Sequence, residues 1–81
     1  MIGEIKMHDV VALMQDVRTK HLESGQPVLL RRGQIRTVVM IYQDGACEVE
    51  FADRDGRAFA ILPLQPYQLM VLHDSPDFAA A

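Results

Sequence analysis

The chain has little of what marks several classes of protein. One cysteine in 81 residues cannot form an internal disulfide, so no covalent framework holds the fold. Tryptophan is absent and aromatic residues make up only 6%, which leaves few flat rings for stacking on nucleic-acid bases. Five glycines and four prolines are too few for a collagenous or low-complexity chain. No apolar run approaches the roughly 18 residues of a membrane span. The start Met1-Ile2-Gly3-Glu4 shows no basic region leading into an apolar core, so no signal peptide is predicted. The expectation is a cytoplasmic protein with no membrane contact. What is present, 49% apolar and 23% charged residues, is ordinary for one globular domain. A chain this short buries roughly 60 to 65% of its unfolded surface, so its core is thin.

The net charge of −3 is unevenly divided. Residues 1 to 41 hold six Lys and Arg against four Asp and Glu, a surplus of +2, whereas residues 42 to 81 hold Arg54 and Arg57 against seven acids, or −5. A net acidic chain repels a phosphate backbone, which makes nucleic acid a disfavoured partner. The acidic second half favours a basic protein partner instead.

The periodicity is that of short strands. His8 to Met14 is a short run rich in Val and Leu. Gln34 to Tyr42 is dominated by β-branched residues and is predicted to be central. Asp44-Gly45 interrupts it as a hairpin turn. Cys47 to Ala52 then alternates, with Cys47, Val49 and Phe51 on a buried face and Glu48 and Glu50 on a wet one. Asp55-Gly56, read as a type I′ turn, leads into Ala58 to Leu62, which Pro63 and Pro66 are predicted to stop. Pro66-Tyr67-Gln68 reads as a single helical turn and Leu69 to Leu72 as the last strand; Gln15 to Arg32 is a loop around Ser24, Gly25 and Pro27.

This pattern predicts an all-β fold: one domain over residues 1–72, a small five-stranded SH3-like barrel with a long loop after the first strand and a helical turn before the last. A flexible tail, 73–81, follows. Closing the sheet would remove the edges that so few strands expose. The alternatives are an open five-stranded sheet, an OB-like barrel, which wants longer strands and a longer helix, and a helix over Val10 to Lys20. In that last segment Val10, Leu13, Met14 and Val17 fall at helical spacing. The predicted core is Val11, Leu13, Ile35, Val39, Ile41, Val49, Phe51, Phe59, Ile61 and Leu69.

Three stretches carry a resemblance: Asp9-Val10-Val11, Arg32 to Val39, and above all Asp44-Gly45-Ala46-Cys47-Glu48-Val49-Glu50-Phe51-Ala52-Asp53. With Asp55 to Ala60 and Gln68-Leu69-Met70 they make the chain similar to small bacterial proteins of the domain of unknown function 4926, over nearly all of residues 8 to 72. The resemblance implies an SH3-type barrel and, from the paired arrangement of such genes, an antitoxin-like or regulatory partner of a neighbouring small protein. It carries no activity and no cofactor. The chain departs from the family pattern twice. Arg36 stands where a second glycine would close Gly-x-x-Gly-Thr-Val-Val, so the backbone there must be conventional or the loop rearranged. The first loop is lengthened around Thr19 to Val28, with Arg18 in place of a proline.

Candidate chemistry is thin. His8, His21 and His73, even with Cys47 or Asp74, lack the local spacing of a zinc site and read as surface histidines. Cys47 shares a face with Val49 and Phe51 and reads as a small core hydrophobe, not a nucleophile. Asp53-x-Asp55-Gly56 lacks the later ligands of a calcium loop and reads as a turn. Glu48 and Glu50 would need burial to act as an acid and base pair. The chain is therefore expected to be no enzyme and to use no cofactor or metal.

Two surfaces stand out. Arg31, Arg32 and Arg36 could clamp phosphate, which makes a nucleic-acid-binding SH3-like barrel the alternative reading; a solvated edge, or ion pairs with Glu48 and Glu50 across the sheet, is the simpler use of these arginines. On the central strand Thr37, Val39 and Ile41 should point inward, leaving Val38, Met40 and Tyr42 outward. The loop residues Val28, Leu29 and Leu30 could cover that face, or a partner could. The leading expectation is a non-enzymatic protein-interaction module, homo-oligomeric as a dimer or bound to a basic neighbour, through Val38, Met40, Tyr42, Leu29, Leu30, Glu48 and Glu50. The ending Phe78-Ala79-Ala80-Ala81 resembles the small apolar tails read by unfolding proteases, a handle suited to a labile antitoxin-like protein.

Overall fold

The computed structural model describes residues 4–78. Seven strands form two antiparallel sheets: β1 (Val10–Leu13), β2 (Val17–Lys20), β3 (Pro27–Leu30), β4 (Ile35–Ile41), β5 (Cys47–Ala52), β6 (Ala58–Leu64) and β7 (Leu69–Val71). The 3-10 turn Pro66–Gln68 precedes the last strand, as predicted. One sheet has five strands in the order β6-β5-β4-β1-β7, and β2 with β3 forms a two-stranded ribbon. The fold is all-β, and of the architectures considered it is the open five-stranded sheet that forms. β6 and β7 remain its two edges and do not pair, so the barrel is not closed. The helical alternative over Val10 to Lys20 gives way to β1 and β2, separated by a bend at Met14 and Gln15.

The segment predicted as a long loop is the ribbon. β2 and β3 pair from Val17 opposite Leu30 to Lys20 opposite Pro27. Val17, Val28 and Leu30 turn one side of it toward the core. Its tip is held down twice: the His21 ring stacks on Phe59 with centroids 6.3 Å apart, and the Leu22 amide donates to the Phe59 carbonyl at 2.9 Å. At its base the Asp16 carboxylate accepts from the Arg32 amide at 2.7 Å and lies 3.6 Å from Arg31 Nε. The ribbon thus packs on the inner face of the sheet as a second layer, which is the usual way for a sheet to bury one side.

Both Asp-Gly turns depart from type I′. The Gly45 amide donates to the Tyr42 carbonyl and the Gly56 amide to the Asp53 carbonyl, with Gly45 at φ 91° and Gly56 at φ 81°. Asp44 and Asp55 do not share that conformation, so each loop is a type I turn followed by a left-handed glycine. The aspartates act on the backbone: Asp53 Oδ1 accepts from the Asp55 and Arg57 amides, and Asp44 Oδ1 from the Ala46 amide. Pro63 does not stop its strand either. β6 runs on through Leu64, because β6 is an edge strand and a missing N–H there interrupts no second ladder.

The central strand carries the largest surprise. Thr37 pairs with Glu50 and Val38 with Val49, but Met40 pairs with Glu48 and Ile41 with Cys47. Val39 is the extra residue of a β-bulge. One inserted residue swaps the two faces of a strand. Before the bulge the even positions point inward and after it the odd ones do, so Val38 is fully buried and Ile41 packs on the core. Val11, Leu13, Val49, Phe51 and Leu69 are buried as predicted, joined by Leu30, Val38, Cys47, Ala60 and Leu64. Ile35 and Ile61, predicted for the core, lie exposed on the other face, while Val39, Ile41 and Phe59 are half-buried. Cys47 is the small core residue its alternation implied.

Candidate interaction surface

The pairing register defines the outer face row by row, since residues opposite one another in an antiparallel sheet project to the same side. One row runs Ile61, Glu50, Thr37, Val10 across β6, β5, β4 and β1. A second joins Ile35, Ala12 and Met70, and a third Met40, Glu48 and Pro63. Ala12 is buried between its neighbours, but the large apolar side chains of this side are not. Ile35 is 47% exposed, Met70 48% and Met40 40%, and Val10 and Ile61 are similar. Five large apolar side chains therefore stand in water on one side of a small sheet, whereas the ribbon packs on the other.

The only charges at these strand positions are the two carboxylates of β5. Their presence on the outer side follows from the same alternation that buries Cys47, Val49 and Phe51. The Tyr42 hydroxyl donates to Glu48 Oε1 and fixes one of them. That hydrogen bond, with some desolvation and the nearby negative charge, raises the Tyr42 pKa above its ordinary value.

Of the predicted partner-binding residues, Met40, Tyr42, Glu48 and Glu50 lie together on this side. Val38 and Leu30 do not: both are buried and cannot touch a partner, Val38 because of the bulge and Leu30 because the ribbon turns it inward. Leu29 is exposed but sits on the ribbon, in a different sheet. Sequence reasoning missed Val10, Ile35, Ile61 and Met70. The signal for Ile61 was its placement opposite Glu50, on the face already assigned to water.

Arg31 and Arg32 lie exposed, as a solvated edge requires, and the ion pairs with the β5 carboxylates do not form. Arg36 adopts ordinary strand geometry, and its guanidinium donates to the carbonyls of Ile35 and Ala52. Arg31 pairs with Asp16, and neither it nor Arg36 bonds Glu48 or Glu50. His21 Nδ1 accepts from the Glu23 and Ser24 amides, a role internal to its turn.

A shallow groove of about 1010 Å3 lies at one end of the sheet, between residues 4–9, the end of β4 and the 3-10 turn. Ile5, Ile41 and Leu69 form part of its wall, with Tyr67 at its rim. Nearby in sequence, His8 takes a left-handed φ of 72°, and its amide donates to the Val38 carbonyl at 2.7 Å. Cys47 borders the groove, and burial together with the Asp9 carboxylate pushes its thiol pKa up, which lowers the thiolate fraction a nucleophile needs.

No helix among the described residues is long and apolar enough to cross a membrane. Residues 79–81, which hold most of the predicted protease handle, lie outside the described residues. Neither the curated proteins nor the solved structures include a match to the chain. The sequence profile described as Domain of unknown function (DUF4926) matches residues 7–71, which contain every strand of both sheets, and the chain belongs to that family.

Proposed function

We propose that this chain is a non-enzymatic protein-interaction module that docks through the outer face of its five-stranded sheet. The observation that carries the reading is the exposure of Val10, Ile35, Met40, Ile61 and Met70 on one side while the ribbon packs on the other. Contiguous apolar surface on a small protein marks a contact site more often than not. An antitoxin-like or regulatory role beside a neighbouring small protein is the specific form that the resemblance implies. The nucleic-acid reading draws less support, since Arg36 is engaged by backbone carbonyls and Arg31 by Asp16.

The test is recovery of the tagged chain from its native cells, with quantitation of whatever remains bound. A single protein held in near-equal amount, and lost from Met40→Lys and Ile61→Lys variants that keep the parent's circular-dichroism spectrum, is the expected outcome. A bound protein retained by both variants contradicts docking through this face. Retention of nucleic acid that is released steeply by salt favours the alternative.

A further inference from the structure

The outer face is not uniformly apolar. Glu48 and Glu50 sit on β5, one strand from the sheet centre, with Pro63, Met40, Ile61 and Thr37 as their cross-strand neighbours. No outward strand position among the described residues supplies a cation to balance them. In water the two carboxylates are solvated. Covered by an apolar partner they would be stripped of water with nothing in exchange, which is unfavourable.

A second copy of the chain fits poorly for the same reason. In a two-fold dimer the same patch meets itself. An axis near β4, the middle strand, lays β5 of one copy over β1 of the other, burying Glu48 and Glu50 against Val10 and Ala12. An axis near β5 brings carboxylates against carboxylates. Neither arrangement pairs the charges.

Spacing narrows the partner. Residues two apart on a strand are roughly 6.5 to 7 Å apart. Side chains four apart on a helix are separated by about 6 Å along its axis. Two basic residues one helical turn apart therefore meet Glu48 and Glu50 together, and flanking apolar residues of the same helix fall on the adjacent-strand side chains Met40 and Ile61. Glu48 is already oriented for this by the Tyr42 hydroxyl.

We infer that the partner is a protein presenting a basic amphipathic helix, with two Lys or Arg one turn apart over Glu48 and Glu50. The inference rests on the interaction-module reading and specifies what that module binds. The experiment uses the full chain, labelled for NMR, and a synthetic helix-forming peptide of Leu and Lys with this spacing. A peptide with Gln at each Lys position is the control. Expected are resonance changes centred on Met40, Glu48, Glu50 and Ile61, and an affinity that falls at least about tenfold in Glu48→Gln/Glu50→Gln. The Gln peptide should bind correspondingly weakly. Both glutamates occupy solvent-facing positions, so the double variant is expected to keep the parent spectrum, which the same NMR data check.

Equal binding of the two peptides overturns the inference, as do resonance changes that map to the groove or the ribbon. So does a dimer in light scattering that Met40→Lys dissociates. If a native partner is lost with Ile61→Lys but held undiminished by Glu48→Gln/Glu50→Gln, docking through the face stands and the basic helix falls. If the native partner is lost with neither, both readings fall.

Discussion

The two faces of the five-stranded sheet are built from the same strands, residue by alternate residue, and meet opposite fates. On the inner side Val11, Val38, Val49 and Phe51 are fully buried beneath a ribbon tied down at tip and base. On the outer side side chains as apolar as these remain in water, interrupted by two glutamates. Hydrophobicity alone does not separate Val38 from Met40 or Phe51 from Ile61. What separates them is whether a second layer exists to receive them, and in this chain the second layer is the ribbon.

The contrast can be broken by substitution. Phe51→Ala is expected to remove about 3 to 5 kcal/mol of stability, close to the whole reserve of a domain this small. Ile61→Ala, one sheet face away, should change stability by less than about 1 kcal/mol. Urea denaturation of both variants measures the difference, and similar losses would mean that the outer face is packed after all.

A finer pair isolates the bulge. Val38→Ala should cost about 2 kcal/mol through lost burial and a residual cavity, and Met40→Ala no more than about 0.5 kcal/mol. An unbroken alternation along β4, with Val38 outward, makes the Val38 substitution the mild one. Thermal unfolding of the two variants distinguishes these cases.

That pair also marks how far the sequence could be read. Cys47 to Ala52 was legible to the residue, because Glu48 and Glu50 alternate with apolar neighbours and leave one choice of face. In Val38-Val39-Met40-Ile41 every residue is apolar, so nothing local declares where the period slips. The bulge is set by pairing with β5, a tertiary fact. The ribbon was hidden for a related reason. Its turn, Glu23-Ser24-Gly25, and its edge proline Pro27 read as loop, and its strands are four residues each with mixed exposure. They are held by tertiary contacts, core packing of Val17, Val28 and Leu30 and the seating of His21 and Leu22 on Phe59, between residues far apart in the chain. The interaction surface was half legible: the Met40, Tyr42, Glu48 and Glu50 group follows from β5, whereas Val10, Ile35 and Met70 required knowing that β1 lies between β4 and β7.

The turns that join the faces give a smaller effect. Gly56→Ala should cost about 1 to 2 kcal/mol, because a Cβ at φ 81° is strained although no atom lies within 4 Å of it. A variant as stable as the parent would show that the loop relaxes at no cost.

The smallest effect is electrostatic and confined to the outer side. Tyr42 holds its proton more tightly in the fold than in the unfolded chain, because Glu48 accepts its hydrogen bond. A raised folded pKa contributes stability that is complete below the ordinary tyrosine value, roughly 10, and is lost as pH rises through the folded value. Glu48→Gln should move the Tyr42 titration back toward that ordinary value, read by ultraviolet absorbance of the phenolate. No movement would detach Glu48 from Tyr42 in solution.

Docking through the outer face is tested most directly by methyl NMR with a soluble paramagnetic agent, on the chain alone and on the complex recovered from native cells. The Val10, Ile35, Met40, Ile61 and Met70 methyls should be strongly relaxed in the chain alone and shielded in the complex, with Val38 shielded in both. Outer methyls that stay equally relaxed once the partner is bound would contradict the account.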